Sequence, residues 1–427
     1  MNVYYTLCFL AALAVGIAFL NQYIHKVQST IAITAGALAG SLLLLSAGRL
    51  GWFHLEPTAR YLVEQINFQE FLLHGILGFL LFAGALGINL PALRDQKWEV
   101  AILSLASTLL STLLIGYAIY GIATLLHLKL ALIYCMLFGA LISPTDPIAV
   151  LAIIKTLRAP QRMAIQVEGE SLFNDGVGLV IFITLFSVAF SHQDATLGSI
   201  FQVFFQEALG GIVYGLVVGF IAHWLISATD NGSLELLITL LIPSTAFSLA
   251  NLLNISGALA MVVSGIIIGN WTRQNGFSKQ STLYLNHFWE LIDQFLNALL
   301  FLLIGLTLLV IEIDQRSILL MLSAIPVCLA ARYFSVLLPF ACFRWFRHYN
   351  PYTLSVLTWG GLRGGLALAM ALSIPIGAAY EPCSNIDIRD LLLVMCYSVV
   401  LFSILIQGST IEPMIQRAKQ SELNSQP

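Results

Sequence analysis

Charge is scarce in this chain. Only 10% of its 427 residues are Asp, Glu, Lys or Arg, where a soluble domain carries roughly a quarter. Hydrophobic residues make up 59% of it and the mean hydropathy is +0.89, which excludes a soluble globular protein. Nineteen basic against 22 acidic residues leave a net charge of −3, so no nucleic-acid partner is implied. Ordered cysteine spacing is missing too. Cys8, Cys135, Cys328, Cys342, Cys383 and Cys396 fit no metal-ligand pattern, and most lie in apolar runs as small core residues. There is no Gly-x-Ser-x-Gly or His-Glu-x-x-His, and His74, His127 and His192 have no partner nearby in sequence. Neither an enzyme nor a bound cofactor is expected.

What the chain has is long apolar runs. About twenty such residues cross the hydrocarbon, and candidates fall near 3–20, 29–48, 69–90, 98–125, 130–154, 164–191, 202–227, 234–252, 255–270, 288–311, 318–342, 352–379 and 389–411. The first lacks the basic flank of a signal peptide and reads as a helix. These thirteen predict an all-α polytopic membrane protein, with the shorter spans open to being re-entrant. Residues 1–411 read as one transmembrane domain of two repeats, about 1–192 and 234–411, joined by the span near 202–227. Residues 412–427 are a short tail, so no cytoplasmic regulatory tail is expected. With the N-terminus outside, the inner loops and tail hold twelve Lys and Arg and the outer loops five. That satisfies the positive-inside rule and puts the C-terminus in the cytoplasm. The loops 155–162 and 344–347 are the clearest. Arg332 and Arg363 remain, both inside spans.

The stretch from Leu141 to Val180 concentrates the polarity. It holds Ser143-Pro144-Thr145-Asp146-Pro147 and then Glu168-Gly169-Glu170-Ser171-Leu172-Phe173-Asn174-Asp175-Gly176. A carboxylate in hydrocarbon costs roughly 2.5 kcal/mol or more, so such residues usually line an ion or proton pathway. Polar contacts between helices are the plainer alternative. Two prolines three apart make a continuous fifth span improbable. The twelfth contains Thr358-Trp359-Gly360-Gly361-Leu362-Arg363-Gly364-Gly365, whose glycines permit the same interruption. If spans 1–6 and 8–13 are repeats, the breaks correspond, which points to a transporter of inverted repeats with its site where they meet. Asp146 can then answer the partial positive charge of the helix starts.

On a helix, Glu168, Ser171 and Asp175 share one stripe while Glu170 points elsewhere. Glu168 sits near the inner mouth, as an entrance acid or an interfacial one. Asp175 lies deeper and is the expected ion and proton binder. Burial disfavours a bare carboxylate, so Asp175 needs either a proton or a cation, and competition between them is the simplest mechanism of exchange. An alkali ion takes several oxygens, and Asp175, Ser171 and Thr145 can supply them with water. Asn174 is expected to bond across the broken helices. Glu170 is read as the partner of Arg363, since either alone is costly in the core. That leaves one neutralisable carboxylate and implies electroneutral one-for-one exchange.

These residues resemble the NhaP-type bacterial and archaeal Na+/H+ antiporters of the monovalent cation:proton antiporter 1 family, which includes the animal sodium/proton exchangers. The marks are Thr145-Asp146-Pro147, Gly169 to Gly176, and Gly361-Leu362-Arg363-Gly364-Gly365. The resemblance implies thirteen helices in two inverted six-helix repeats, a dimerisation domain and a moving core domain, and a homodimer among the lipids of the bacterial inner membrane. It implies ion binding at Asp175 with help from Thr145 and Ser171, and Asp146 at the crossing. It also implies a buried pair of Glu170 with Arg363, and a steadying role for Arg332. Glu235 resembles the start of the eighth span, near an entrance or on the surface. Glu290 and Asp293 either line the cytoplasmic entrance or cap the tenth span. Many relatives have a glutamate where Ala83 stands, and some another at Ala250-Asn251, which leaves ion coordination and pH profile open. Exchange of K+, or of Na+ and K+ together, is the main rival. A channel would need a continuous polar pore, and uptake of an organic solute with Na+ is not excluded by fold.

Overall fold

The computed structural model describes residues 3–24, 27–50, 56–190, 197–311, 318–343, 349–377 and 386–425. Arg316, Arg344, Arg347, Lys26, His192 and Cys383 lie outside them. The described chain is helical, and one isolated antiparallel bridge joins Asp146 with Leu362. Among the described residues, ten helices are long and apolar enough to cross a membrane. Three of the thirteen expected spans are not such helices, so the expected count is not fixed by helix length. One is Gly257–Ile266, continued by wider π-helical turns over Ile267–Thr272. The other two are interrupted.

The first interruption separates Leu132–Ile142 from Ile148–Leu157. Pro144 and Pro147 fall in the gap, where each removes a backbone donor and blocks the preceding turn. The second separates Thr353–Trp359 from Gly365–Leu372. No proline acts there, and the glycines let the backbone leave the helix.

Packing sorts the helices into two groups that interleave the halves of the sequence. In one, Lys97–Leu125 packs on Leu132–Ile142, Gln161–Phe190 and Ile318–Phe343, and Ile318–Phe343 and Gly365–Leu372 pack on Ile388–Phe402. In the other, Lys279–Leu306 packs on Ser29–Arg49, and Gly257–Ile266 packs on Leu77–Gly87 and Leu197–Ser227. Gln161–Phe190 is 30 residues long and at ~1.5 Å per residue spans about 45 Å. It runs past the first break because Gly178 has no side chain: a Cβ there would lie 2.1 Å from the Pro144 ring. Lys97–Leu125 turns Ser104, Ser107, Thr108, Ser111 and Thr112 inward, a buried polar stripe in the group that holds both breaks.

Candidate functional site

The two interruptions touch. The backbone N–H of Asp146 donates to the Leu362 carbonyl at 2.8 Å. A broken helix leaves unpaired carbonyls at one end and N–H groups at the other, and in a membrane these need partners within the protein. Arg363 donates to the carbonyls of Ser143 and Pro144, past the end of Leu132–Ile142. Arg332, on Ile318–Phe343, donates to the Leu357 carbonyl through Nε at 3.3 Å and Nη2 at 3.0 Å, in the last turn of Thr353–Trp359. Each arginine therefore closes the carbonyl end of one half-helix.

Asp146 stands at the opposite ends. Its Oδ1 accepts the Ile148 N–H at 2.9 Å, at the start of Ile148–Leu157. Its Oδ2 lies so near Gly364, before Gly365–Leu372, that a Cβ there would be 2.5 Å away. Two positive helix ends thus converge on one carboxylate.

Gln161–Phe190 supplies the other wall. Asn174 Nδ2 donates to Thr145 Oγ1 at 2.8 Å, and Thr145 N donates to Asn174 Oδ1 at 3.2 Å. The hydroxyls of Thr145 and Ser171 are 3.0 Å apart. Thr145, Ser171 and Asn174 are buried, whereas Asp146 and Asp175 keep partial exposure. The Asp175 carboxylate has no hydrogen-bond partner among the described residues and faces Asp146 closely enough for their charges to repel. One uncommitted carboxylate beside a second, with hydroxyls alongside, is an arrangement that a proton or a small hard cation relieves.

The expected pairing of Glu170 with Arg363 is corrected. Glu170 forms its ion pair with Arg332, while Arg363 spends its guanidinium on carbonyls. Both arginines are buried, and the rotation of their helices, which loop counting cannot supply, decides which one meets the glutamate. Glu235 is corrected as well. It is fully buried, not surface, and its Oε2 accepts the Ser278 N–H at 3.1 Å, tying Gly232–Leu241 to the start of Lys279–Leu306.

The remaining acids lie apart from the crossing hydroxyls. Glu168 lines a cavity of about 160 Å³ with Gly87, Asn89, Gln161 and Ala164, and Lys155 lies within electrostatic range of it. Glu290 is exposed. Asp293, half-buried, faces Asp146, with Lys155 and Glu290 also in range. Ala83 and Asn251 contribute no acid. Sequence reasoning gave Lys155 and Asn297 no role at the site and missed Ser403 altogether. Ser403 accepts the Arg363 N–H at 2.8 Å, and nothing in a hydroxyl within an apolar run announces that role.

Residues 6–417 match the family described as sodium/hydrogen exchanger, transmembrane. The chain is similar to the Na+/H+ antiporter NhaP of Pseudomonas aeruginosa, with 39% identity over 95% of both chains. It is 32% identical to the Na+/H+ antiporter NhaH of Halobacillus dabanensis, over 97% of this chain and 98% of that one. Among solved structures, the sodium proton antiporter MjNhaP1 from Methanocaldococcus jannaschii superposes with a TM-score of 0.76 over 98% of this chain and 99% of that chain, at 18% identity. That likeness extends the shared fold beyond the reach of sequence. With its full-length family match and two crossed broken helices at its centre, the chain belongs to the transmembrane sodium/hydrogen exchanger family, among the NhaP-type monovalent cation:proton antiporters.

Proposed function

We propose that the protein exchanges Na+ or Li+ for H+ across the bacterial inner membrane, one for one and without net charge movement. The observation that carries this is the free carboxylate of Asp175, held beside Asp146 and the Thr145–Ser171–Asn174 set. The full-length relatives named as Na+/H+ antiporters support the choice of ions. Asp175 takes a proton on one side and Na+ on the other, and Ser171 and Thr145 contribute oxygens to the cation. Asn174 holds the Thr145 hydroxyl in place. Charge balance is counted from the buried groups: Glu170 cancels Arg332, Asp146 and Arg363 add one charge of each sign, and Asp175 is neutralised by either passenger.

The helix group with both breaks moves against the group containing Ser29–Arg49 and Lys279–Leu306, exposing the crossing alternately. Glu168, Glu290 and Asp293 lie on the cytoplasmic approach. The protein is a homodimer with its N-terminus outside and its C-terminus in the cytoplasm. Proton movement in voltage-clamped proteoliposomes, with Na+, Li+ or K+ added in turn, tests the exchange. Dissipation by Na+ and Li+ that ignores voltage and vanishes in Asp175→Asn is expected. A K+ response of equal size would make it a mixed exchanger, and wild-type exchange by Asp175→Asn would sink the assignment.

A further inference from the structure

Asn297 sits in the middle of Lys279–Leu306 with 3% of its surface exposed. Its Oδ1 has no hydrogen-bond partner among the described residues, and its Nδ2 is directed at the Asp293 carboxylate, just outside ordinary hydrogen-bond geometry. Buried side-chain amides are almost always satisfied, so an open amide oxygen beside a carboxylate calls for an occupant. Asp293 is one helical turn earlier on the same face and keeps partial exposure. The next turn after Asn297 reaches the crossing itself. Leu300 packs where a Cβ on Gly365 would lie, and the adjoining Gly364 rests on Asp146. Asn297 and Asp293 are therefore a short step from Asp146, on a helix of the opposite packing group.

We propose that Asp293 and Asn297 form a second cation site, a station that holds a partly hydrated monovalent cation before it passes to Asp175. This rests on the exchange reading above. An amide oxygen and a carboxylate are hard donors suited to an alkali ion, and waters complete the shell. The charges facing the station are Asp146, Glu290 and Lys155. Lys155, exposed at the end of Ile148–Leu157, is in range of both Asp293 and Glu168. Its ammonium balances the acids when no ion is present and yields when one arrives. Because the station and Asp175 belong to different helix groups, movement of one group against the other separates them and commits the ion.

The test uses purified full-length protein and two readouts. Equilibrium binding of radioactive Na+ is measured in Asp175→Asn and in Asp175→Asn combined with Asn297→Leu, which keeps the branched skeleton and removes its polar atoms. Weak, saturable Na+ binding is expected in the first and none in the second. In proteoliposomes, Asn297→Leu and Asp293→Asn alone are expected to raise the KM for Na+ at least about fivefold, and by more than they lower kcat. Asp175→Asn protein with no Na+ binding overturns the station. So does equal binding with and without Asn297→Leu, or an unchanged KM in the single variants. Loss of thermal stability and of kcat at unchanged KM would assign Asn297 to packing. Wild-type exchange by Asp175→Asn defeats the exchange reading instead, so the two failures are distinct.

Discussion

The breaks at 143–147 and 360–364 solve one problem by different means. The first is made by prolines, so it loses donors and is left mainly with carbonyls. The second is made by glycines, keeps its N–H groups, and satisfies that of Arg363 with the Ser403 hydroxyl. Neither is satisfied wholly from within. Arg363 of the second break serves carbonyls of the first, and Asp146 of the first gives its N–H to Leu362 of the second. Where glycine is used, another group occupies the space a side chain would need: Asp146 Oδ2 at Gly364, and the Arg332 guanidinium at Gly361. The proline break needs only rigidity. The breaks are reciprocal, so damage to either is felt at both.

The largest expected effect comes from Arg332→Ala. It leaves Glu170 as an uncompensated buried charge, at about 3–5 kcal/mol, and unpairs the Leu357 carbonyl as well. Thermal melting of purified protein should fall steeply, with folded yield. Replacing both members, Glu170→Met with Arg332→Met, should recover much of the loss, because no orphan charge remains. Combining Glu170→Met with Arg363→Met should show no such recovery. If it does, Glu170 pairs across the second break after all.

Arg363→Ala ranks next. Two carbonyls at the first break lose a charged donor, on the order of 2–4 kcal/mol. Arg363→Lys should regain part of it, since one ammonium can reach a carbonyl without the planar fork. Melting temperatures in the order wild type, Arg363→Lys, Arg363→Ala check this.

Much of this arrangement was legible because its signals are local. Prolines three apart and a run of glycines mark breaks wherever the helices lie, and the i, i+3, i+4 spacing from Ser171 to Asp175 fixes which residues share a stripe. Pairings across the sequence were not legible. Two arginines lie within spans, the sequence pairs Arg363 with the glutamate, and only the rotation of two helices, set by packing over their whole length, shows that Arg332 meets it. Glu235 shows the same limit. One turn into a span it reads as an interface residue, yet the backbone of Ser278 folds over it. The length rule failed at Gly257–Thr272 and at both breaks, because helices enclosed by protein need not cover the hydrocarbon alone.

Gly364→Ala is a subtler probe. The added methyl would press on Asp146 at 2.5–2.7 Å, a strain of about 1–3 kcal/mol. Exchange should fall further than melting does, since the displaced group is the carboxylate facing Asp175. Equal losses would mean that Asp146 only supports the helix start.

The smallest effect belongs to the end of the chain. The helix Glu412–Ser425 buries Ile415 and Ala418, with Ile411 just before it, in one cluster with Val150 and Ile154 behind the first break and Val356 and Leu357 before the second. Lys419 Nζ donates to the Leu157 carbonyl at 2.7 Å, and Asn350 Nδ2 donates to the Ala418 carbonyl at 2.8 Å. The lysine thus caps a half-helix of the first break, as the arginines do, but at its half-exposed outer end, where water replaces a lost donor. Lys419→Met, which keeps the alkyl length, should cost only about 0.5–1 kcal/mol and leave the KM for Na+ unchanged. Melting and exchange measured together give the check. A loss as large as that of Arg363→Ala would show that the crossing is held as firmly from its outer end as from within. The reciprocal bonding of the two breaks would then be insufficient to hold the site on its own.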